Sequence, residues 1–362
     1  MKHNHVIVLG AGSWGTALAL ALHRAGRKVY LLPRFKEERL DLITYRENRT
    51  WLPNIFLPED IEIGPCYTER QPIIPLFKNA LASFWVIPTR HTVETAERLK
   101  GVIPSTCPIV IGTKGLLTTK NGTEPLLISQ ALQREFDSPL FFLSGPNLAK
   151  EVAENLYAAS ILASPHFEQA RELALHVQSS KFHVSASDDI IGVQISGALK
   201  NVMAILCGLV ISLGFGQNAR AMIVTLGIEE IKKICQKLKS TTEAFSSLSG
   251  IGDIVLTCFC EKSRNTAFGF RIGQGEAIKD ILENGKYTVE GYITAQAVYV
   301  LAHHFHLKLP LFMAIYKILY EKADPRLSLE GVFATAFAEQ DVVLALRSQF
   351  DAPITYKKRS MS

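Results

Sequence analysis

The amino-terminal segment contains three glycines in the spacing G-x-G-x-x-G, directly after a short apolar run. Val6–Leu9 is apolar, residues 16–25 have the Ala- and Leu-rich composition of a helix, and the glycines between them are Gly10, Gly12 and Gly15. In a strand–turn–helix unit the first glycine makes a tight turn, the second lets a pyrophosphate approach the backbone, and the third lets the helix pack on the sheet. The segment therefore predicts a dinucleotide-binding Rossmann unit. A glycine turn in an unliganded Rossmann-like fold is the alternative interpretation.

Apolar segments continue to alternate with helical composition through the first half of the chain. Further strands are predicted at Lys28–Leu32, Ser83–Ile87, Pro108–Ile111, Leu140–Leu143 and Ala159–Leu162. Helical stretches lie between several of them, notably at Thr92–Lys100 and Glu124–Phe136. This alternation is typical of a mainly parallel, doubly wound α/β sheet. We expect residues 1–187 to form the dinucleotide-binding domain.

The residue after the second predicted strand bears on the choice of cofactor. NAD-selective sites usually have Asp or Glu about 20 residues past the glycines, where the carboxylate binds the ribose 2′-hydroxyl. This chain has Arg34 there instead, and a guanidinium suits the 2′-phosphate of NADP. An exposed arginine after a strand is also common, so Arg34 favours NADP without excluding NAD.

Three polar segments follow predicted strands, at residues 88–90, 113–116 and 144–149. Ligands of open α/β sheets bind outside the carboxyl ends of the strands. Lys114 directly follows an apolar strand and would place a cation in the cleft. Ordinary turn chemistry accounts for each segment taken alone.

The second half of the chain is predicted to be helical. After residues 185–189 the alternation stops, and helices are predicted at Ile190–Leu213, Asn218–Leu238, Thr266–Gly273, Ile293–Phe305 and Pro310–Tyr320. Asp188 or Asp189 is expected to cap the first of these helices. We expect residues 188–345 to form an all-helical substrate domain and residues 346–362 a polar tail.

Lys200 is the single charged residue between Ile190 and Ala219. An ammonium taken out of water is costly, so a lysine in such a stretch is usually paired or has a chemical role. A snorkelling lysine and a lysine in a membrane span are the alternatives. The polar residues Gln194 and Asn201, together with several glycines, weaken the membrane interpretation. We predict a buried, functional lysine.

Two later segments supply polar groups that could accompany Lys200. Asp253 follows a glycine-rich turn and could pair with Lys200 across the helical domain. Arg264 lies between Ser263 and Asn265 at the start of a predicted helix, where it would make a phosphate anchor with the backbone amides. Helix capping by Ser263 and an Asx-turn at Asp253 are the alternatives.

Composition limits the class of protein. The 362 residues, with 48% hydrophobic and 20% charged residues, predict a soluble globular protein of two domains. The net charge of +5 is scattered until the Lys357–Arg359 tail, so small anionic ligands are favoured over nucleic acid. Six cysteines without a C-x-x-C pair predict free thiols in a reducing cytosol, with no metal site. The start of the chain has no signal peptide pattern.

Taken in order, these motifs resemble the bacterial-type NAD(P)-dependent glycerol-3-phosphate dehydrogenase family. The resemblance covers about residues 5–340, and the matching segments are Gly10–Ala19, Asn48–Pro53, Lys114–Gly115, Ser144–Pro146, Gly197–Val202, Gly250–Asp253, Ser263–Asn265 and Val289–Gly291. The Ala-Leu-Lys-Asn-Val and Ser-Arg-Asn segments are the specific ones.

The resemblance implies a role for each matching residue, with Lys200 as the catalytic acid/base. Substrate binding is implied for Lys114, Gly145, Asn147, Lys200, Asp253, Ser263, Arg264 and Asn265. Cofactor binding is implied for Gly10, Gly12, Ser13, Trp14, Gly15, Arg34, Lys114, Ala149, Arg264, Thr288 and Glu290. The implied reaction is the reversible reduction of dihydroxyacetone phosphate to sn-glycerol 3-phosphate with NADP or NAD, for glycerophospholipid synthesis. A cytoplasmic homodimer without stable membrane insertion is also implied.

The chain departs from the family pattern at six positions, and two rival interpretations stay open. The departures are Leu117, Asn147, Leu148, Gln194, Leu226 and Thr288, none of which removes a residue needed for chemistry. A β-hydroxyacid-type dehydrogenase with a lysine base is one rival, but a non-phosphorylated substrate would not need the anchor at Arg264. A dinucleotide-sensing protein without turnover is the other, and loss of Lys200 or Asp253 would have favoured it.

Overall fold

The computed structural model describes residues 5–241, 246–285 and 288–348, with the side chains of residues 337–348 excepted. The strands are β1 (His5–Leu9), β2 (Lys28–Leu32), β3 (Glu47–Asn48), β4 (Leu52–Phe56), β5 (Ile61–Ile63), β6 (Ala82–Trp85), β7 (Ile109–Ile111), β8 (Leu116–Thr118), β9 (Pro125–Leu127), β10 (Leu140–Ser144), β11 (Ala158–Ala163) and β12 (Phe182–Ser187). The helices of the first half are α1 (Ser13–Arg24), α2 (Lys36–Tyr45), α3 (Arg70–Phe77), α4 (Thr92–Leu99), α5 (Ile128–Gln133), α6 (Ala149–Ala153) and α7 (Phe167–Val177). Those of the second half are α8 (Ile190–Ser212), α9 (Gly216–Lys237), α10 (Asp253–Phe259), α11 (Arg264–Gly273), α12 (Ile278–Asn284), α13 (Glu290–Phe305), α14 (Pro310–Tyr320) and α15 (Pro325–Ser348). The predicted tail at 346–362 lies outside the described residues from 349 onwards.

The first half of the chain is built on an eight-stranded sheet in the order β12-β11-β10-β7-β6-β1-β2-β5. Side chains of β1 alternate between its two faces, since Val6 and Val8 pack with α1 and α7 whereas Ile7 and Leu9 pack in the core on the opposite side. All neighbouring strands are parallel except β10 and β11, which are antiparallel. The predicted mainly parallel α/β sheet followed by helices is confirmed.

The prediction of one helix over Glu124–Phe136 is wrong. Its first residues form β9, which pairs antiparallel with β8, and α5 begins only at Ile128. Leu127 faces the helical core and Leu126 faces a core beside the sheet, so neighbouring residues are buried in opposite directions. A strand satisfies that alternation and a helix does not, because strand side chains have a period of two.

Helix α8 is the centre of the helical half. Every residue from Gly192 to Val210 is buried, and Asp189 caps the helix by accepting a hydrogen bond from the amide of Gly192 at 2.8 Å. Helix α11 packs directly on the α8 backbone, because a Cβ at Gly208 would overlap the carbonyl oxygen of Thr266. Within the described residues, α8 alone is long and apolar enough to cross a membrane, and 89% of its most apolar window is buried inside the protein.

The glycine-rich turn expected before Asp253 is helical instead. Residues Leu248–Gly252 form a π-helical turn that leads directly into α10. Glycine disfavours helix in isolation, but Ser249 and Gly250 are buried against neighbouring elements. Asp253 therefore occupies the first turn of a rigid helix, which points its carboxylate towards α8.

Candidate active site

The glycine loop between β1 and α1 has the geometry of a pyrophosphate cradle. Gly10 has φ of +111°, and a Cβ there would lie 2.6 Å from the carbonyl oxygen of Val86. A Cβ at Gly15 would overlap the carbonyl oxygen of Gly10, whereas one at Gly12 would meet no atom within 4 Å. No side chain caps the first-turn amides of α1 in the described structure. Open space beside Gly12 and uncapped amides suit an anionic group at this position.

Two polar groups, one in the first turn of α1 and one at the start of α13, are available to a ligand. The indole Nε1 of Trp14 and the carboxylate Oε2 of Glu290 are buried, and neither has a hydrogen-bond partner among the described residues. Buried polar atoms normally have partners, so such exceptions are typical of sites that bind a further group. With the glycine cradle, they fit the dinucleotide expected here.

Arg34 lies two residues after the end of β2. Its guanidinium carbon lies 4.9 Å from the centroid of the Phe35 ring. Its backbone amide donates to Oε2 of Glu38 at 3.0 Å, and burial raises the pKa of that carboxyl group. Glu38 was not predicted as a site residue, because it lies four residues after the position where the acid of an NAD-selective site is expected. The carboxylate of Glu38 is thus engaged by the backbone amide of Arg34.

Asp253 joins two lysines at the centre of the cleft. Its Oδ2 accepts from Nζ of Lys114 at 2.7 Å, and its Oδ1 accepts from Nζ of Lys200 at 2.5 Å. Lys114 Nζ also donates to the carbonyl of Gly145 at 3.0 Å, and Lys200 Nζ donates to Oγ1 of Thr257 at 3.0 Å. Asp253 is fully buried. The sequence left the pairing of Lys200 with Asp253 open and did not suggest that Lys114 would share the carboxylate.

The environment of Lys114 lowers the pKa of its ammonium group. Desolvation lowers the pKa of Lys114 to about 8, and the ammonium of Lys200 acts in the same direction. The carboxylate of Asp253 opposes both effects. The side chain of Lys114 is still 14% exposed, so it keeps contact with the open cleft.

Hydrogen bonds between two asparagine side chains connect the loop of Lys114 to the helical half. Asn201 Nδ2 donates to the carbonyl of Lys114 at 3.4 Å, and Asn265 Nδ2 donates to Oδ1 of Asn201 at 3.0 Å. Oδ1 of Asn265 accepts from the amide of Gly291 at 3.0 Å. These contacts link the loop of Lys114 to three helices. Asn201 was missed as a site residue, although its place directly after Lys200 was a usable signal.

The amino terminus of α11 lies beside the carboxylate of Glu290. Ser263 caps this helix by accepting from the amide of Thr266 at 3.4 Å, and Arg264 is the exposed first residue. Oε1 of Glu290 accepts from the amide of Thr89 at 3.3 Å. Burial raises the pKa of Glu290, while the amide of Thr89 and the charge of Arg264 oppose that shift. Arg264, Glu290 and the loop after β6 therefore meet at one side of the cleft.

The loop after β10 is pressed against β11. A Cβ at Gly145 would overlap the carbonyl oxygen of Ala159. In the orientation that satisfies both ends of its amide, Asn147 donates to Pro146 and Ala159 carbonyls at 3.2 Å and accepts from Oγ of Ser160 at 2.6 Å. Asn147 thus holds its own loop in place.

The last two predicted site residues, Ala149 and Thr288, lie at or near the starts of helices. Ala149 begins α6, directly after the loop that carries Gly145 and Asn147. Thr288 is half-buried and lies two residues before α13, next to residues 286–287, which the structure does not describe. The contacts described above bring Lys114, Lys200 and Asp253 together, and they place Arg264 beside Glu290.

Comparison with known proteins covers both halves of the chain. Residues 5–170 match the family described as NAD-dependent glycerol-3-phosphate dehydrogenase N-terminus, and residues 189–330 match the corresponding C-terminus. The chain is 36% identical over 325 residues to glycerol-3-phosphate dehydrogenase (NAD(P)+) of Francisella philomiragia, covering 90% of this chain and 95% of that protein.

Solved structures show the same similarity. The glycerol-3-phosphate dehydrogenase of Coxiella burnetii superposes with a TM-score of 0.83 at 32% identity, covering 92% of this chain and 99% of that one. The enzyme of Saccharomyces cerevisiae gives a TM-score of 0.77 at 26% identity, with 91% and 99% covered. The similarity therefore extends across the sheet, the helical half and the cleft between them.

Proposed function

The chain belongs to the NAD-dependent glycerol-3-phosphate dehydrogenase family, and we propose that it reversibly reduces dihydroxyacetone phosphate to sn-glycerol 3-phosphate with NADH or NADPH. This membership makes it an NAD(P)-dependent oxidoreductase. The observation that carries the proposal is the buried carboxylate of Asp253 between the ammonium groups of Lys114 and Lys200. A cofactor-binding loop alone would suit a dinucleotide sensor, whereas two lysines around one acid suit proton transfer and binding of an anionic substrate.

Lys200 is the proposed proton donor. When bound, the nicotinamide supplies the hydride that reduces C2 of the substrate, and the oxygen on C2 then gains negative charge. Two of the three N–H bonds of Lys200 are directed to Asp253 and Thr257. The third can face the substrate oxygen and transfer its proton. Asp253 holds the donor in place and stabilises its charge before the transfer.

Lys114 and Arg264 are the proposed anion-binding groups. Two ammonium groups and one carboxylate leave the lysine cluster with a net charge of +1, which favours a phosphorylated substrate. Arg264 adds a guanidinium at the start of α11, where the helix amides also attract anions. The other proposed substrate-binding residues are Gly145, Asn147, Ser263 and Asn265.

The remaining roles follow the resemblance of this chain to its family. The proposed cofactor-binding residues are Gly10, Gly12, Ser13, Trp14, Gly15, Arg34, Lys114, Ala149, Arg264, Thr288 and Glu290. We propose that residues 1–187 bind the dinucleotide and that residues 188–345 bind the substrate. We also propose a cytoplasmic location, which the six free thiols support. The proposed role in glycerophospholipid synthesis rests on the family resemblance. The proposed homodimer rests on family resemblance alone.

Substrate selectivity tests the proposal. The protein is mixed with NADH or NADPH and dihydroxyacetone phosphate, and the absorbance of the reduced nicotinamide is followed. Matched reactions contain dihydroxyacetone, which lacks the phosphate, or hydroxypyruvate, a non-phosphorylated keto acid. We expect kcat/KM for dihydroxyacetone to be lower by about 100-fold or more, because charge-assisted contacts contribute about 1.5–3 kcal/mol each.

Two results would contradict the proposal. Turnover of hydroxypyruvate at the rate of dihydroxyacetone phosphate would favour the β-hydroxyacid-type dehydrogenase. Tight binding of the cofactor without consumption of any substrate would favour the dinucleotide sensor.

A further inference from the structure

The short hairpin formed by β3 and β4 lies against the glycine loop. Its buried residue Asn48, which is 3% exposed, makes three side-chain hydrogen bonds there. Nδ2 donates to the carbonyl of Ala11 and to Oγ1 of Thr16, both at 2.7 Å, and Oδ1 accepts from the amide of Trp51 at 3.1 Å. One amide thus joins the residue before Gly12 to the first turn of α1.

A second hydrogen bond also joins the hairpin segment to α1. Oγ of Ser13 donates to the carbonyl of Trp51 at 2.6 Å. Residues 48–51 therefore hold Ala11, Ser13 and Thr16, which surround Gly12 before and after. The partners are 32 to 38 residues apart in sequence, so the restraint comes from the tertiary fold and not from the loop itself.

The loop's own residues restrain it only weakly, since Oγ1 of Thr16 donates to the carbonyl of Ala11 at 3.4 Å. Glycine has more backbone freedom than any other residue, and Gly12 would meet no neighbour even with a Cβ. A loop that is ordered before the ligand arrives loses less entropy on binding and binds more tightly. Asn48 supplies that order without occupying the open side of Gly12.

We propose that Asn48 is a positioning residue for the dinucleotide: it fixes the glycine loop in the conformation that receives the pyrophosphate. This inference rests on the proposed cofactor site. Because the pyrophosphate is common to both cofactors, Asn48 acts on NADH and NADPH equally. That property separates Asn48 from Arg34, whose proposed contact involves the 2′-phosphate alone.

The test replaces Asn48 with Asp, which has the same shape but puts a carboxylate against the carbonyl of Ala11. Asn54→Asp is the matched control, since Asn54 is an exposed residue of the same hairpin. Dissociation constants for NADH and NADPH are measured by quenching of tryptophan fluorescence, without turnover. We expect N48D to weaken both cofactors by about 10-fold or more and N54D to change neither.

Kinetics separate positioning from general damage to the fold. At saturating cofactor, the KM for dihydroxyacetone phosphate and kcat should stay within about twofold of wild type in N48D, whereas the KM for each cofactor rises. If N48D does not fold, as judged by circular dichroism, Asn48→Ala is measured in the same way. Unchanged cofactor binding in a folded Asn48 variant would overturn the inference, and so would an equal loss in N54D. Failure of the wild-type protein to bind either cofactor would instead overturn the proposed function.

Discussion

Replacing Asp253 with Asn removes the one carboxylate that the two lysines share, at nearly constant volume. Asp253 is fully buried, and its oxygens lie 2.7 Å from Nζ of Lys114 and 2.5 Å from Nζ of Lys200. The variant would leave two ammonium groups around a neutral amide. Such a site can relieve the repulsion by releasing one proton.

Comparing the attraction that is lost with the cost of deprotonating Lys114 shows that a proton is released. Two unit charges at about 2.7 Å attract by about 6 kcal/mol at an effective dielectric constant of about 20. Lys114 has a pKa of about 8 with Asp253 in place, so its deprotonation at pH 7 costs only about 1.4 kcal/mol. Because the lost attraction is larger than this cost, Lys114 becomes neutral in the variant. The cluster then keeps a net charge of +1, carried by Lys200.

This reasoning predicts a separation of kcat from KM. The KM for dihydroxyacetone phosphate should rise by only about 3- to 10-fold, because neutral Lys114 attracts the phosphate less strongly while the net charge of the cluster stays at +1. kcat should fall by about 100-fold or more, because Lys200 loses the group that holds it and a positioned acid contributes about 10²- to 10⁴-fold. Removing an anion lowers the pKa of nearby ammonium groups, so the alkaline limb of the kcat profile should move to lower pH.

The assay is the oxidation of NADH or NADPH by dihydroxyacetone phosphate from about pH 6 to pH 9. Asp188→Asn is the control, because Asp188 is exposed and undergoes the same change of side chain. Circular dichroism checks that both variants are folded. A folded Asp253→Asn protein with wild-type kcat and an unshifted alkaline limb would refute the role assigned to the shared carboxylate.

Three further substitutions test the other assignments. Lys200→Met should lower kcat by about 10²- to 10⁴-fold in a folded protein, and near-normal turnover would exclude Lys200 as the acid. Arg264→Ala should raise the KM for dihydroxyacetone phosphate and lower kcat, since binding energy from the phosphate also lowers the barrier; Arg271→Ala on the same helix is the control, and equal effects would place the anchor elsewhere. Arg34→Ala should weaken NADPH more than NADH, and added salt should narrow the difference; equal losses would mean that Arg34 does not contact the 2′-phosphate.

Local patterns were sufficient for the fold class but not for strand direction. The glycine spacing after β1 and the alternation that follows it indicate a Rossmann sheet, because both depend on neighbours in sequence. The reversal of β11 and the strand β9 depend on which cores the side chains of distant elements fill. Leucine pairs such as Leu126 and Leu127 occur in helices as well as in strands, so the sequence alone favoured the wrong element here.

Local sequence patterns also predicted only part of the active site. Lys200 could be singled out because one charge stands out in an apolar helix, whatever the tertiary structure. The sharing of Asp253 by Lys114 and Lys200 could not, since it joins residues 139 and 53 positions apart. Asn48 was given no role because its partners Ala11 and Thr16 are 37 and 32 positions away. Glu38 was given none because it accepts from the backbone amide of Arg34, and a backbone contact leaves no sign in the side-chain pattern.

Helix α8 also has a consequence for the newly made chain. It emerges from the ribosome before Asp253 and the helices that later bury it, and it is long and apolar enough to cross a membrane. Lys200 lies next to the midpoint of its 23 residues, where a lysine costs about 2.5–3.5 kcal/mol in translocon-mediated insertion. The ammonium proposed to donate the proton therefore also opposes delivery of this helix to the lipid bilayer. Lys200→Met removes both this insertion penalty and the proposed proton donor. Cells that produce the variant should therefore be fractionated into soluble and membrane parts. Variant protein in the membrane fraction is misdirected, and it must be subtracted before a loss of turnover is assigned to the active site.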